Sequence, residues 1–206
     1  MGMFKENNKM EASQTLASLH NASKVAAETR RAAFVAAIPL ELSNREDNIQ
    51  INLAKENASS RSKLRKIYNL MADLGKVAEP YIACGKGCSS CCKMNVKISQ
   101  LEANQIGEKI GEKAKQLIKS KNYSSNEFIG IACLFLKDDV CTIYDVRPFA
   151  CRKHIWFDTS AYWCDPSRSL DVAMPMIEYS GALGAFFDVS MKDGIGVHAD
   201  IRDFFY

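Results

Sequence analysis

The sequence predicts a mainly α, small single domain with irregular, turn-rich loops and an N-terminal helical extension. Three observations predict it. Leu64, Ile67, Tyr68, Met71, Leu74 and Val77 recur at three- and four-residue intervals, the spacing of one buried helix face. Ser99-Gln100-Leu101-Glu102 is a capping-box signature that opens a second helix. Between these two helices the chain is punctuated by Pro80, Gly85 and Gly87, residues that break regular structure and permit tight turns.

In chain order, residues 1–60 are rich in Ala, Asn, Ser, Lys and Glu, with Leu16, Leu19, Val25, Ala26 and Ala33 at loose helical spacing. They read as a helical or partly disordered extension. Asn57-Ala58-Ser59-Ser60 reads as a linker into a domain over 61–206, whose first helix runs from about Ser62 to Val77. The helix opened by the capping box carries Leu101, Ile106, Ile110 and Leu117 and is expected to reach about Ser120. Residues 122–126 form a loop, and Ile129 to Leu136 is an apolar run that fits a strand or a buried turn. Asp138-Asp139 makes a turn before Val140 to Tyr144, and Pro148 starts a brief helix carrying Cys151, Arg152 and His154. Met174 to Phe187 is apolar and broadly helical, with Gly181 and Gly184 allowing close packing. Gly194-Ile195-Gly196 signals a turn, and Phe204-Phe205-Tyr206 ends the sequence. There is no internal repeat.

Composition excludes several classes. At 47% hydrophobic residues the chain has material for a real core rather than disorder. A net charge of +3 is too small and too scattered to be the footprint of a nucleic-acid binder. The apolar stretch from Ala32 to Leu40 falls well short of the roughly 20 residues a membrane span needs. Arg30-Arg31 stands too far into the chain for a twin-arginine export signal, and Glu6 occupies the place where a myristoylation signal has Ser or Thr. The expected compartment is the cytoplasm, where cysteines stay reduced and their clustering points to metal or redox chemistry rather than to disulfides.

The cysteines are the strongest signal. Cys84-x3-Cys88-x2-Cys91-Cys92 packs four into nine positions, and Cys133, Cys141, Cys151 and Cys164 return from later chain. Buried thiols that merely pack have no reason for such spacing. A metal site needs several soft donors converging within about 2.3 Å of the ion, which clustered cysteines plus a distant return supply. Cys88-x2-Cys91 is a spacing at which two thiolates share one ion. Adjacent Cys91 and Cys92 point at one ion with difficulty, so a polynuclear cluster, or two sites, explains the doublet better than one tetrahedral zinc.

The first loop, then Cys133-Leu134-Phe135-Leu136, then the string from Cys141 through Ile143-Tyr144-Asp145-Val146-Arg147-Pro148 to Cys151-Arg152, closely resembles the YkgJ-type cysteine cluster family. The resemblance covers about residues 80–165, includes Val96-x-Ile98-Ser99-x2-Glu102, and accounts for all eight cysteines. It implies a small, mostly helical zinc- or iron-chelating protein, with an iron–sulfur cluster expected ahead of zinc. It does not imply one reaction. The family includes a flagellin lysine N-methylase, a much longer chain, and nothing in residues 1–60 looks like a methyl-donor site.

Beside the cysteines, Arg147 and Arg152 are candidates to donate hydrogen bonds to an anionic cluster, with Tyr144 a packed aromatic next to them. His154, three residues after Cys151, is a candidate further ligand. His20 and His198 are isolated, and Trp156, Phe157 and Trp163 are expected to shield the centre from water. There is no phosphate-binding glycine loop, Gly-x-Ser-x-Gly elbow or His-Glu-x2-His motif. Three functions follow: a metal-binding module whose centre is structural or relays electrons, and which metal removal unfolds; a metal-dependent protein-modifying enzyme; or a redox-sensing protein whose N-terminal extension meets a protein partner.

Overall fold

The structure is a computed structural model that describes residues 2–85, 87–169, 173–192 and 196–205; side chains are described at residue 14 and from residue 17 on, residue 169 excepted. The side chain of Leu16, the Gly194-Ile195 pair and Tyr206 therefore lie outside the described residues. The fold is mainly helical, 59% helix and 5% strand.

The long helix α1 (Gly2–Ala37) ends where Pro39 forces the preceding residue out of the helical region, and Pro39 itself becomes the N-cap of α2 (Leu40–Lys55). The linker is short and irregular over residues 57–59, and Ser60 already belongs to the next helix. Ser59 caps α3 (Ser60–Ala78) by accepting from the Ser62 N–H at 3.2 Å, and the buried Lys63 ammonium donates to the Leu53 carbonyl at the end of α2. Phe34, Leu42, Ile49 and Leu53 from the first sixty residues share one buried core with Leu64, Ile67 and Leu74 of α3 and with Ala182, Ala185 and Phe186 of α7 (Ser180–Lys192).

The close approach of α2 and α7 rests on the glycines noted in the sequence. A Cβ at Gly181 would collide with the Glu46 carbonyl oxygen, and one at Gly184 with the Gln50 amide. Glu46 also accepts the Ala182 N–H at 3.0 Å, which caps α7 from its neighbour. Because the Glu46 carbonyl is backbone within a helix and cannot step aside, Gly181→Ala is expected to destabilise the protein by about 1–3 kcal/mol in urea unfolding, despite alanine's better helix propensity.

A second, smaller core gathers Ile98, Ala103, Ile106, Phe135, Ile143 and Phe204 under the cysteine loops. Its frame is a pair of three-residue strands, β1 (Lys97–Ser99) and, from the far end of the chain, β4 (His198–Asp200), paired antiparallel with Ile98 opposite Ala199. Helix α4 (Gln100–Ile110) carries the full capping box but stops ten residues earlier than expected. Gly111 takes φ +74° and its N–H returns to the Gly107 carbonyl, so the chain turns back; Leu117 still packs against this core, from a loop.

The apolar run at 129–136 is a series of turns that ends in β2 (Leu136–Lys137). Asp138 and Asp139 both adopt left-handed φ, 49° and 55°, and close a two-residue hairpin onto β3 (Val140–Cys141). Pro148 caps α5 (Phe149–Lys153). Two short helices, α6 (Pro166–Ser169) and α8 (Ile201–Phe205), complete the fold. The expected helix from Met174 begins only at Ser180, the residues before it being irregular. Among the described residues no helix is long and apolar enough to cross a membrane.

Candidate metal centre

Five short segments carry the cysteines, and backbone hydrogen bonds tie them together. The Ala83 N–H donates to the Trp156 carbonyl at 2.8 Å, which lays the Cys84 segment beside the chain leaving α5. Gly87, at φ +88°, lets the loop double back so that the Cys88 N–H reaches the Gly85 carbonyl. Cys91 and Cys92 occupy a 3-10 turn at Ser90–Lys93. Against it the Cys133 N–H donates to the Cys92 carbonyl at 2.7 Å and the Gly130 N–H to the Lys93 carbonyl at 2.9 Å. Cys141 ends β3, Cys151 sits in the middle of α5, and Cys164 closes a 3-10 turn at Tyr162–Cys164.

The result is one cavity of about 340 Å³ lined by Cys88, Cys91, Cys92, Cys133, Cys141 and Cys151, six of the chain's eight cysteines. Cys84 and Cys164 lie outside its lining, Cys164 buried in the helical core and Cys84 packed against that core, and both are within electrostatic reach of Cys88. All eight are free thiols. Among the described residues no three Cys, His, Asp or Glu side chains already close around the position of one ion.

The donor set fits a soft or borderline metal. Six thiols line the cavity, with Asp139 the carboxylate at the rim, and such a donor set selects zinc or iron–sulfur centres over magnesium or calcium. Arg147 lines the same cavity with its guanidinium 4.1 Å from the centre of the Tyr144 ring, and its buried Nε has no hydrogen-bond partner. A buried N–H donor beside six thiols is suited to thiolate or sulfide acceptors, which would remove its desolvation penalty.

Burial sets the electrostatics of most of these thiols. Burial pushes the thiols of Cys84, Cys141 and Cys151 up, Cys133 up to about 11 and Cys164 up to about 12. Cys92 is the exception: the Cys91 thiol donates to it and holds it down at about 7, while the same bond keeps the Cys91 proton on. Thiols that are neutral near pH 7 must lose protons to ligate, so metal uptake is expected to release protons and to tighten as pH rises. Acidification of a weakly buffered solution during zinc titration checks this, and uptake without proton release would contradict it.

Behind the cavity lies a residue whose burial the capping signature does not reveal. Glu102 is 1% exposed and its carboxylate accepts from the Tyr68 hydroxyl at 2.7 Å, the Phe149 N–H at 2.7 Å, the Ser99 N–H at 2.9 Å and the Ser99 hydroxyl at 3.2 Å. Phe149 is the first residue of α5, so Glu102 bolts the helix carrying Cys151 to α3 and α4. Burial still wins over these four donors and raises the Glu102 pKa.

The neighbouring candidates fall in different places. Arg152, within electrostatic reach of Cys151, donates to the Arg147 carbonyl at 2.8 Å and the Asp145 carbonyl at 2.7 Å and stacks 4.2 Å over the Tyr68 ring. Tyr144 is 55% exposed at the cavity rim. His154 lines a separate space of about 80 Å³ that it shares with Cys91 and Cys151, and burial lowers its pKa. Trp156, Phe157 and Trp163 are buried in the helical core, where His20 of α1 meets the Trp163 ring at 5.4 Å.

Residues 83–166 match the family model CxxCxxCC, described as "Putative zinc- or iron-chelating domain". The match begins one residue before Cys84 and ends two after Cys164, enclosing all eight cysteines. No curated protein and no solved structure matches the chain.

Proposed function

We propose, for a chain whose residues 83–166 match the model of a zinc- or iron-chelating domain, that the cavity holds a polynuclear iron–sulfur centre and that the centre is what orders the cysteine loops. One observation carries the reading: six thiols, including the adjacent pair Cys91 and Cys92, line a single space of about 340 Å³. A structural zinc takes four ligands and closes over them. Six donors around a larger space suit several metal atoms bridged by sulfide, with the Arg147 Nε placed to hydrogen-bond an anionic cluster. Thiols kept free for this purpose fit a reducing, cytoplasmic compartment.

Iron and acid-labile sulfide are measured on protein purified without oxygen, with the visible spectrum alongside. Several irons per chain, matching sulfide and a broad visible band are expected. Zinc without sulfide would replace this reading with that of a structural chelating domain.

The rim supports a second reading, a metal-dependent modifying enzyme. Gly85, Val140 and Tyr144 are exposed there, so the cavity opens to solvent rather than being sealed as a purely structural site would be. Binding heat or a spectral change on titrating the loaded protein with S-adenosylmethionine would favour it, and the absence of both would remove it.

A further inference from the structure

We propose that a second cavity, back to back with the cysteines across α5, binds a small organic anion with a flat aromatic body. It has a volume of about 390 Å³, within the range of small-molecule sites. Phe149 and Lys153 line it from α5, one turn apart on the same helix face, whereas Cys151 between them faces the cysteine cavity.

Its chemistry divides into an apolar floor and a cationic rim. Phe149 and Phe186 stack on each other at 4.8 Å with their planes 9° apart, and both line the cavity while staying largely buried, so its floor is aromatic and can pack against a ring. Lys97 and Lys153 are both exposed at the edge. The Lys97 ammonium spends one donor on the Asn122 side-chain oxygen at 2.8 Å, which holds it over the cavity with donors to spare. Among the described residues the Lys153 ammonium, exposed at the rim, has no ion-pair partner. Among the described residues no carboxylate lines the space, so two cations face it with no anion in that wall.

His198 completes the wall. Its Nδ1 lies 2.9 Å from the Gly196 carbonyl, which can only accept, so Nδ1 carries the proton and Nε2 is left as an acceptor. That Nε2 is shielded from water and has no partner, while Phe186 and Phe187 stand against the ring at 6.1 and 5.9 Å. An unpaired buried nitrogen beside two uncompensated cations is costly in an empty pocket. A bound hydroxyl or protonated acid group would satisfy the nitrogen, and a carboxylate or phosphate would satisfy the lysines.

This inference does not depend on which metal the cysteines hold. Its test is calorimetry on the full-length, metal-loaded protein with benzoate and phenyl phosphate as probes, and with inorganic phosphate and benzyl alcohol as charge-only and ring-only controls. At least one aromatic anion is expected to bind well ahead of both controls, the stronger of the two telling a carboxylate ligand from a phosphate ester. Lys153→Ala and Lys97→Ala, both exposed and so little threat to folding, are each expected to weaken it by roughly tenfold, the value of one charge-assisted hydrogen bond. No binding of either aromatic anion at millimolar concentration would overturn the proposal. So would binding that both lysine variants leave unchanged, or binding of benzyl alcohol as tight as that of the anions.

Discussion

Replacing Glu102 by alanine is expected to destabilise the protein by about 3–5 kcal/mol, the loss read from denaturant unfolding. The carboxylate is the shared acceptor for the Tyr68 hydroxyl and for the N–H groups of Ser99 and Phe149, all in a dry interior. Removing it strands these three buried donors and the Ser99 hydroxyl at once and leaves a void beside them. The effect should extend beyond stability, because the Phe149 N–H is the point at which α5 is anchored, and α5 presents Cys151 to the cavity. Metal content should therefore fall in protein that is still folded, a result that simple loss of packing elsewhere would not produce. Glu102→Gln should be milder yet still costly: its oxygen can serve Tyr68 and Phe149, but its amide nitrogen meets the Ser99 N–H donor to donor. The pH dependence has a definite sign. Since the folded-state pKa of Glu102 is raised, its contribution is fully present below the ordinary glutamate pKa and is lost as pH rises through the raised value. The glutamine variant should lack that slope.

Stripping the metal is the second large effect, and the two cores make its expected form specific. Zinc can contribute on the order of 10–16 kcal/mol to the folding of small metal-dependent peptides. Here the helices α1, α2, α3 and α7 supply most of a core to which the cysteine region adds Phe149, Trp156, Phe157, Trp163 and Cys164. The cysteine loops have only the second core and a few backbone bonds, such as that from the Cys133 N–H to the Cys92 carbonyl. Chelation is expected to leave most of the helical circular dichroism while hydrogen-exchange protection disappears from residues 84–93 and 131–147. Cooperative loss of the whole helical signal would show instead that both cores fold as one unit, and unchanged protection in the loops would show that the centre is not what orders them.

The sequence disclosed this architecture unevenly, and for physical reasons. Helix α3 was legible because one apolar face repeats without interruption, and the start of α4 because a capping box is a local signal. The end of α4 was not, because Leu117 prolongs the apolar stripe past Gly111, and only the left-handed φ of that glycine shows that Leu117 reaches the core from a loop. The β1–β4 pair was invisible: three residues carry no period, and the partners lie about a hundred positions apart. The cysteines announced their chemistry through spacing, which groups Cys84 with Cys88, and the fold keeps those two thiols within electrostatic reach of each other. Spacing does not reveal that six thiols line one cavity, nor that Cys164 comes within electrostatic reach of Cys84 and Cys88. Glu102 was visible as a cap; that its other oxygen serves α3 and α5 depends on tertiary packing that no local motif encodes.

The interlock of α2 with α7 bears on how the chain can be dissected. Gly181 and Gly184 are small because the Glu46 carbonyl and the Gln50 side chain occupy the space where their side chains would be, and α7 takes its N-terminal cap from Glu46. Further back, Arg30 of α1 donates to the carbonyls of Tyr81 and Phe157, clasping the two stretches of backbone that lead into and out of the cysteine loops. A fragment starting at residue 61 would thus present α7 with a bare, grooved flank and release that clasp. Such a fragment is expected to be insoluble or to self-associate, so a binding partner of the leading helices is better sought with substitutions on their outward faces, at Val25 or Ile51, than by deletion.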